Sequence, residues 1–367
     1  MKNFNRTWAE VDLTAIAENF NTVRKQVGRD VRVMAIVKAD AYGHGVERVA
    51  PLLSELGADQ FGVSCLQEAM ELRNLGIKQP ILILGYTAPD YFPYLFKYDL
   101  IQTVFDSELA GALSAAAVAE GTQAKVHFAV DSGMGRIGFD GFAPQEAAES
   151  ILAVSRLPGI APEGIFTHFS VADTDGEEGY TEAQFERFLK VCDLLEEQGL
   201  SLLRHAANSA GTFLSARYHL DMVRAGIVLY GLEPGGRENP FKPAMVMKTA
   251  ISFVKALPKG RSVSYGRRFK SAAPMKVATL SAGYADGYPR NLSGLGYVMI
   301  HGKRAKILGS VCMDQMMVDV TEIPCKAGDE AVLMGGDIPY ESLAEELGTI
   351  HYELICGIGK RVPRTYE

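Results

Sequence analysis

The chain contains no CxxC pair. Its five cysteines, Cys65, Cys192, Cys312, Cys325 and Cys356, are odd in number and far apart, which argues against a disulfide framework or a zinc site and for a reducing compartment. No metal ligand set is assigned. No apolar run approaches the ~18 residues of a membrane span, and the first residues, MKNFNRTWAEVDL, hold no apolar signal-type stretch. A soluble cytoplasmic protein with no membrane partner is expected. A basic block is also absent, and a formal charge of −7 leaves no electrostatic footprint for nucleic acid. No GxGxxG opens a helix after the first strand, which weighs against a dinucleotide-binding sheet, and no low-complexity tract interrupts the pattern.

What is present is apolar and periodic. A 47% hydrophobic content is ample for two cores, and 367 residues exceed the ~250–300 at which one core stops growing. Between residues 12 and 232, β-type runs at 33–37, 60–63, 80–84, 100–104, 125–130, 162–167, 202–206 and 222–229 alternate with helical stretches such as 45–56, 65–75, 106–120 and 180–198. Eight βα units fit a closed (β/α)8 TIM-type barrel better than an open doubly wound sheet. The pattern changes at the Pro/Gly-rich segment 233–239, read as a linker. Beyond it come β-type runs at 245–255, 275–280, 297–300, 304–308, 316–320 and 330–334, with a helix at 341–347. The division expected is a barrel domain over 1–238 and a mostly β domain over 239–367, the segment 7–13 pairing with the latter.

Barrel active sites lie at the C-terminal ends of the strands, and here those ends are polar. Lys38 and Tyr42 follow the first strand in VMAIVKADAYGHG, Arg136 the fifth, His168 the sixth, and Asn208 and Ser209 the seventh, while Arg224 and Gly226 lie in the eighth. A lysine leaving packed interior is partly desolvated, which lowers an ammonium pKa and makes the amine reactive. Taken alone, the segment more often means a side chain that merely snorkels out of a strand end. HAANSAG (205–211) and RAGIVLYG (224–231) offer hydroxyl and backbone donors for a phosphate, or ordinary helix caps. A reactive lysine and a phosphate site sharing one barrel mouth suggest pyridoxal 5'-phosphate.

With these residues assembled, the chain closely resembles bacterial alanine racemases, a two-domain family of pyridoxal phosphate enzymes, over essentially its whole length. The resemblance is carried by AIVKADAYGHG (35–45), DSGMGRIG (131–138), THFSVAD (167–173), HAANSAG and RAGIVLYG. VSYG (263–266), AGYADGYPR (282–290), VCMDQ (311–315), YEL (352–354) and RVPR (361–364) continue it. It implies that Lys38 carries the cofactor covalently and that Tyr42, Ser209, Gly226, Ile227 and Tyr352 hold its phosphate. Arg136 would reach the ring hydroxyl and the substrate carboxylate, Leu84 would lie near the ring, and Arg224 would donate to the pyridine nitrogen. Tyr265 and Met313 would enter from a second subunit, making the enzyme a homodimer with shared sites. Lys38 would handle the proton on the D-alanine side and Tyr265 that on the L-alanine side, with His168 relaying from Tyr265 to Arg224. Asp173, Tyr284, Arg290 and Ile350 would line the access corridor.

The implied activity is interconversion of L- and D-alanine, supplying D-alanine for peptidoglycan. Two departures stand out. Many members of the family carry a carbamylated lysine seven residues before the GMGR arginine, where this chain has Ala129, and Ser310 occupies a corridor position that is often arginine. A racemase that also accepts serine is a further expectation, since apolar pockets reject one added hydroxyl only weakly. A decarboxylase on a similar barrel would need a Gly-rich phosphate loop that is missing, and a non-catalytic cofactor carrier would leave the residues after 238 without purpose.

Overall fold

The computed structural model describes residues 6–233 and 239–367. The linker read at 233–239 lies, apart from its two end residues, outside them. The described residues form two compact units: one takes the chain through Ala15, Tyr42–Gly45 and Pro243–Glu367, the other Ile16–Ala41 and Val46–Lys242.

Strand β1 (Thr7–Val11) belongs to the former unit. The latter is built on β2 (Arg32–Ile36), β3 (Gln60–Val63), β4 (Ile81–Ile83), β5 (Ile101–Val104), β6 (Ala124–Asp131), β7 (Phe139–Asp140), β8 (Ile160–Phe166), β9 (Leu203–His205) and β10 (Met222–Ala225). Eight of these run parallel in the order β10-β2-β3-β4-β5-β6-β8-β9, with the short β7 beside β6. The two ends of that order meet through Asp221 N–H on Arg204 O (3.2 Å) and Arg224 N–H on Ala207 O (2.9 Å), so the sheet nearly closes into the expected barrel. β3, β4, β5 and β10 are buried along their whole length, which is why they read as unbroken runs rather than alternating ones. Helices Val46–Glu55, Leu66–Asn74, Ser107–Ala119, Pro144–Ser155 and Glu178–Glu197 lie between strands. Asp106 starts one of them by accepting the Leu109 N–H.

One strand is shorter than its apolar run. The stretch 222–229 is extended only to Ala225, and Ile227–Tyr230 is a buried 3₁₀ turn. Gly226, at φ −117° and ψ −101°, breaks the extended path, and an apolar run does not by itself distinguish strand from buried turn.

The other unit holds β11 (Met245–Leu257), β12 (Ser262–Val263), β13 (Phe269–Lys270), β14 (Met275–Leu280), β15 (Tyr297–Ile300), β16 (Lys303–Lys306), β17 (Met316–Asp319), β18 (Glu330–Met334) and β19 (Arg364–Tyr366). The order is β16-β15-β18-β11-β1-β19, with β14 pairing both β11 and β17 and β12 pairing β13. β1 is antiparallel to β11 and parallel to β19. Leu257, Val263, Val277 and Leu308 pack as one core cluster. Tyr340–Leu347 is the expected helix. His351–Cys356 is a second one that the reading did not include, being too short to show a 3.6-residue period.

Candidate active site

Lys38 is half-buried and follows the buried Val37. Behind it Ala39, Asp40, Ala41 and Tyr42 have φ of 52°, 55°, 54° and 52°, a left-handed turn made of residues with side chains. Each costs ~1–2 kcal/mol in that conformation, so the turn needs external support. Glu68 supplies it: Oε1 accepts the Ala39 N–H and Oε2 the Ser64 N–H, both at 2.7 Å. Asp40 Oδ1 adds a bond from Val46 N–H at 2.7 Å. The amine is thereby tied to a strand end on one side and a braced turn on the other.

Arg224 is 4% exposed and is the hub of the barrel mouth. Nη1 donates to His205 Nδ1 (3.0 Å) and His205 O (2.9 Å), and Nη2 donates its two hydrogens to Thr167 O (2.7 Å) and Ala206 O (2.9 Å), with one of them shared with His168 Nδ1 (3.3 Å). Its Nε–H makes no bond, and no carboxylate pairs with it, among the described residues. Burial, then the charge of Arg136, pulls its pKa down to about 9, so it remains cationic at neutral pH. A guanidinium can only donate, which assigns Nδ1 of both His168 and His205 as acceptors and puts their protons on Nε2. His205 Nε2 then donates to His127 Nδ1 at 2.9 Å.

All three imidazoles are neutral at pH 7. Burial, then Arg224, depresses His127 to about 3. His205 falls well below its ordinary value through burial, Arg224 and His127. His168 does so through burial and then the charges of Arg224, Arg136 and Lys38. Three of the predicted cations therefore act on one ring, and the structure brings Lys38, Arg136, His168 and Arg224 together as one electrostatic site. Phe166 stacks on His205 at 5.0 Å and lies under the Arg224 guanidinium at 5.5 Å.

The remaining barrel residues sit at the same strand ends. Leu84 extends β4, its N–H on Val63 O at 2.8 Å. Asn208 caps the short helix Ser209–Leu214 through Oδ1 to Gly211 N–H at 2.9 Å. Ser209 Oγ accepts the Gly226 N–H at 2.9 Å, which leaves its hydroxyl hydrogen to donate outward. The Ile227 N–H, opening the 3₁₀ turn, has no acceptor among the described residues. Asp173 is half-buried in the turn after His168. Glu68, His127 and His205 touch this site and were not singled out from the sequence, although His205 opens the HAANSAG motif.

In the other unit the rings of Tyr42 and Tyr352 lie 6.2 Å apart. Tyr265 is 74% exposed and Met313 52%. Ser264, just before Tyr265, has φ 66° and ψ 179°, a region that essentially only glycine occupies. It is held there by its Oγ on Ser310 O at 2.6 Å, while Ser310 Oγ reaches Tyr265 O at 3.4 Å. Tyr284 and Met313 share one surface: Tyr284 N–H bonds Cys312 O and Ala285 N–H bonds Met313 O, each at 3.0 Å. A Cβ on Gly283 would come within 2.2 Å of Cys312 O, so glycine permits that approach. Buried Asp286 fixes the same turn, accepting from Gly283 N–H (2.9 Å), Arg6 Nη2 (2.6 Å) and Arg361 Nε (2.8 Å). Arg290 and Ile350 are exposed, Ile350 at the start of His351–Cys356.

Family models agree with both units. One described as "Alanine racemase, N-terminal domain" matches residues 11–234 and another, "Alanine racemase, C-terminal domain", matches 244–366. The alanine racemase of Desulforamulus reducens is 46% identical over 366 residues, covering 98% of each chain, and that of Halothermothrix orenii 44% identical, covering 98% of this chain and 97% of its own. The solved alanine racemase of Clostridium difficile 630 superposes with a TM-score of 0.95 at 38% identity, covering 100% of this chain and 97% of that one. That of E. faecalis gives 0.93 at 37%, covering both completely. A barrel whose strand ends gather Lys38, Arg136, His168 and Arg224, matched in both units and along nearly the whole length, places the chain in the alanine racemase family.

Proposed function

We propose that the protein interconverts L-alanine and D-alanine with pyridoxal 5'-phosphate held at Lys38. The observation that carries this is unbalanced positive charge at the barrel mouth. Arg224 is buried without a carboxylate, and the Arg136 side chain has no ion pair or hydrogen bond among the described residues, so the mouth is suited to anions. The donor set fits the cofactor. Arg224 Nε–H is an unpaired donor in the site whose His168 also feels the Lys38 amine, as a ring nitrogen that accepts would require, and the Ser209 hydroxyl and Ile227 N–H are two further unpaired donors of the kind a phosphate takes. Tyr42 and Tyr352 are assigned to the phosphate and Leu84 to the ring by resemblance, and Asn208 acts through its cap on the Ser209 helix.

When bound, the cofactor supplies an aldehyde that bonds an amine and a conjugated ring that draws the electron pair from the substrate Cα. The chain's residues do the rest. Arg136 binds the substrate carboxylate. Lys38 Nζ takes or returns the Cα proton on one face. A single fixed base would return it to the face it left, so racemisation requires a second group opposite, and we assign this to the Oη of Tyr265 of the partner subunit. Neutral His168, its Nδ1 facing Arg224 and its proton on Nε2, would donate that N–H to the phenol oxygen and stabilise its ionised form, which is what lets a phenol act as a base near neutral pH. Arg224, donating rather than carrying an exchangeable proton, leaves the ring nitrogen unprotonated. Met313 from the same partner lines the substrate space, and Asp173, Tyr284, Arg290 and Ile350 the approach to it.

The high exposure of Tyr265 and Met313 in one chain supports a homodimer with shared sites. Among the described residues no helix is long and apolar enough to cross a membrane, which accords with a cytoplasmic supply of D-alanine for peptidoglycan. The test is exchange of the Cα hydrogen in deuterium oxide with L-alanine, D-alanine and L-serine. Wild type should exchange both alanines, Lys38→Ala neither, and Tyr265→Phe should lose exchange chiefly from L-alanine. Racemisation without Lys38, or none in wild type, would refute the assignment.

A further inference from the structure

The helix Glu178–Glu197 presents Tyr180, Gln184 and Arg187 at helical spacing on one face. That face grips the two loops that carry Arg136 and His168. Tyr180 Oη donates to Gly133 O and Arg187 Nη1 to Ser132 O, both at 2.9 Å. Gln184, fully buried, accepts from Ser170 N–H (2.9 Å) and Oγ–H (3.0 Å) and donates to His168 O (3.1 Å). The Arg187 guanidinium also lies 4.1 Å from the Phe142 ring centroid and 5.9 Å from that of Tyr180.

The arginine loop has its own internal brace: Asp131 Oδ1 accepts the N–H groups of Gly133 and Gly135 at 3.0 Å. Gly133, at φ 140°, approaches so closely that a Cβ would lie 2.6 Å from Tyr180 Oη. The Arg136 guanidinium, in contrast, bonds nothing among the described residues, and buried Ala129 offers it no anion. Its location is therefore set through the backbone of its loop.

We propose that Tyr180 and Arg187, on a helix anchored by Gln184, are positioning residues that fix where Arg136 meets the substrate carboxylate. This rests on the alanine-racemising reading above. If Arg136 binds the carboxylate equally before and during proton transfer, loosening its loop raises KM and leaves kcat alone. Each deleted hydrogen bond is worth roughly fivefold.

The experiment uses the cofactor-loaded full chain for kinetics and the cofactor-free chain for amide hydrogen exchange. Tyr180→Phe and Arg187→Leu should each raise the KM for alanine roughly fivefold, with kcat within about twofold. Amides 133–136 should exchange faster even without cofactor, while Arg187→Lys, which keeps a donor for Ser132 O, should recover most of the KM. Variants with wild-type KM, or with kcat and melting temperature falling together at unchanged KM, would overturn the proposal. Failure of the underlying reading looks different: the wild-type chain itself would leave alanine unracemised.

Discussion

Glu68→Ala tests whether the left-handed turn behind Lys38 is held from outside. Four residues at φ 52–55° carry ~4–8 kcal/mol of conformational cost at ~1–2 kcal/mol each. Glu68 offsets part of this through two charge-assisted bonds to Ala39 and Ser64 N–H. Such bonds contribute ~1.5–3 kcal/mol each, and the lower end applies because both sites are exposed and water can replace the carboxylate. The expected loss is therefore ~2–3 kcal/mol, which for a unit of this size lowers the melting temperature by about 5–8 °C. Activity should fall further than stability, because the turn directs the Lys38 amine and small displacements of a reacting group are costly. Glu68→Gln retains one acceptor and should recover about half of the stability. Ala39→Gly in the Glu68→Ala background removes one left-handed side chain, a relief of ~1–2 kcal/mol reduced by the entropy of glycine in the unfolded chain. The assay is thermal unfolding of the cofactor-free chain alongside kcat/KM of the loaded one. If Glu68→Ala melts within about 1 °C of wild type and keeps its kcat/KM, the turn supports itself and the reasoning fails.

The neutral buried imidazoles make stability depend on pH with a definite sign. Folded His127, His168 and His205 have pKa values below those of the unfolded chain, so the unfolded state binds more protons below about pH 6.5 and stability falls as pH falls, by up to ~1.4 kcal/mol per pH unit for each histidine. Urea unfolding at a series of pH values should give a slope near three protons in mild acid, and His127→Asn, which keeps an acceptor for His205, should reduce it by one; an unchanged slope would count against the assignment. At Ser264, alanine retains the backbone strain and loses the bond to Ser310 O, costing ~1–2 kcal/mol, whereas glycine also relieves the strain. Equilibrium unfolding should rank Ser264→Gly above Ser264→Ala, and the reverse order would show that the strain is not stored there.

The barrel is legible because parallel strands covered on both faces leave continuous apolar runs, as at β3, β4 and β5. Topology then does more than composition, since a lysine, an arginine and a histidine distant in sequence become neighbours once they are known to end barrel strands. The partners of those residues are less legible because they depend on register. Nothing local marks Thr167, His205 and Ala206 as acceptors for Arg224; they meet it because β9 and β10 close the sheet. The left-handed turn is hidden for a different reason: Ala and Tyr have no preference for positive φ and one Asp among four residues is a weak signal, while its support comes from Glu68 on the distant helix Leu66–Asn74. One signal was available and informative. Gly164 lies inside a strand, IAPEGIF, where glycine weakens packing unless another group needs the space. The β6–β8 register sets it opposite His127, and a Cβ there would lie 2.6–2.7 Å from the imidazole ring atoms. The glycine is what gives His127 room to accept from His205, and through His205 it bears on the tautomer that Arg224 requires. A residue with no side chain thus contributes to the electrostatics of the barrel mouth, by way of two rings and a guanidinium.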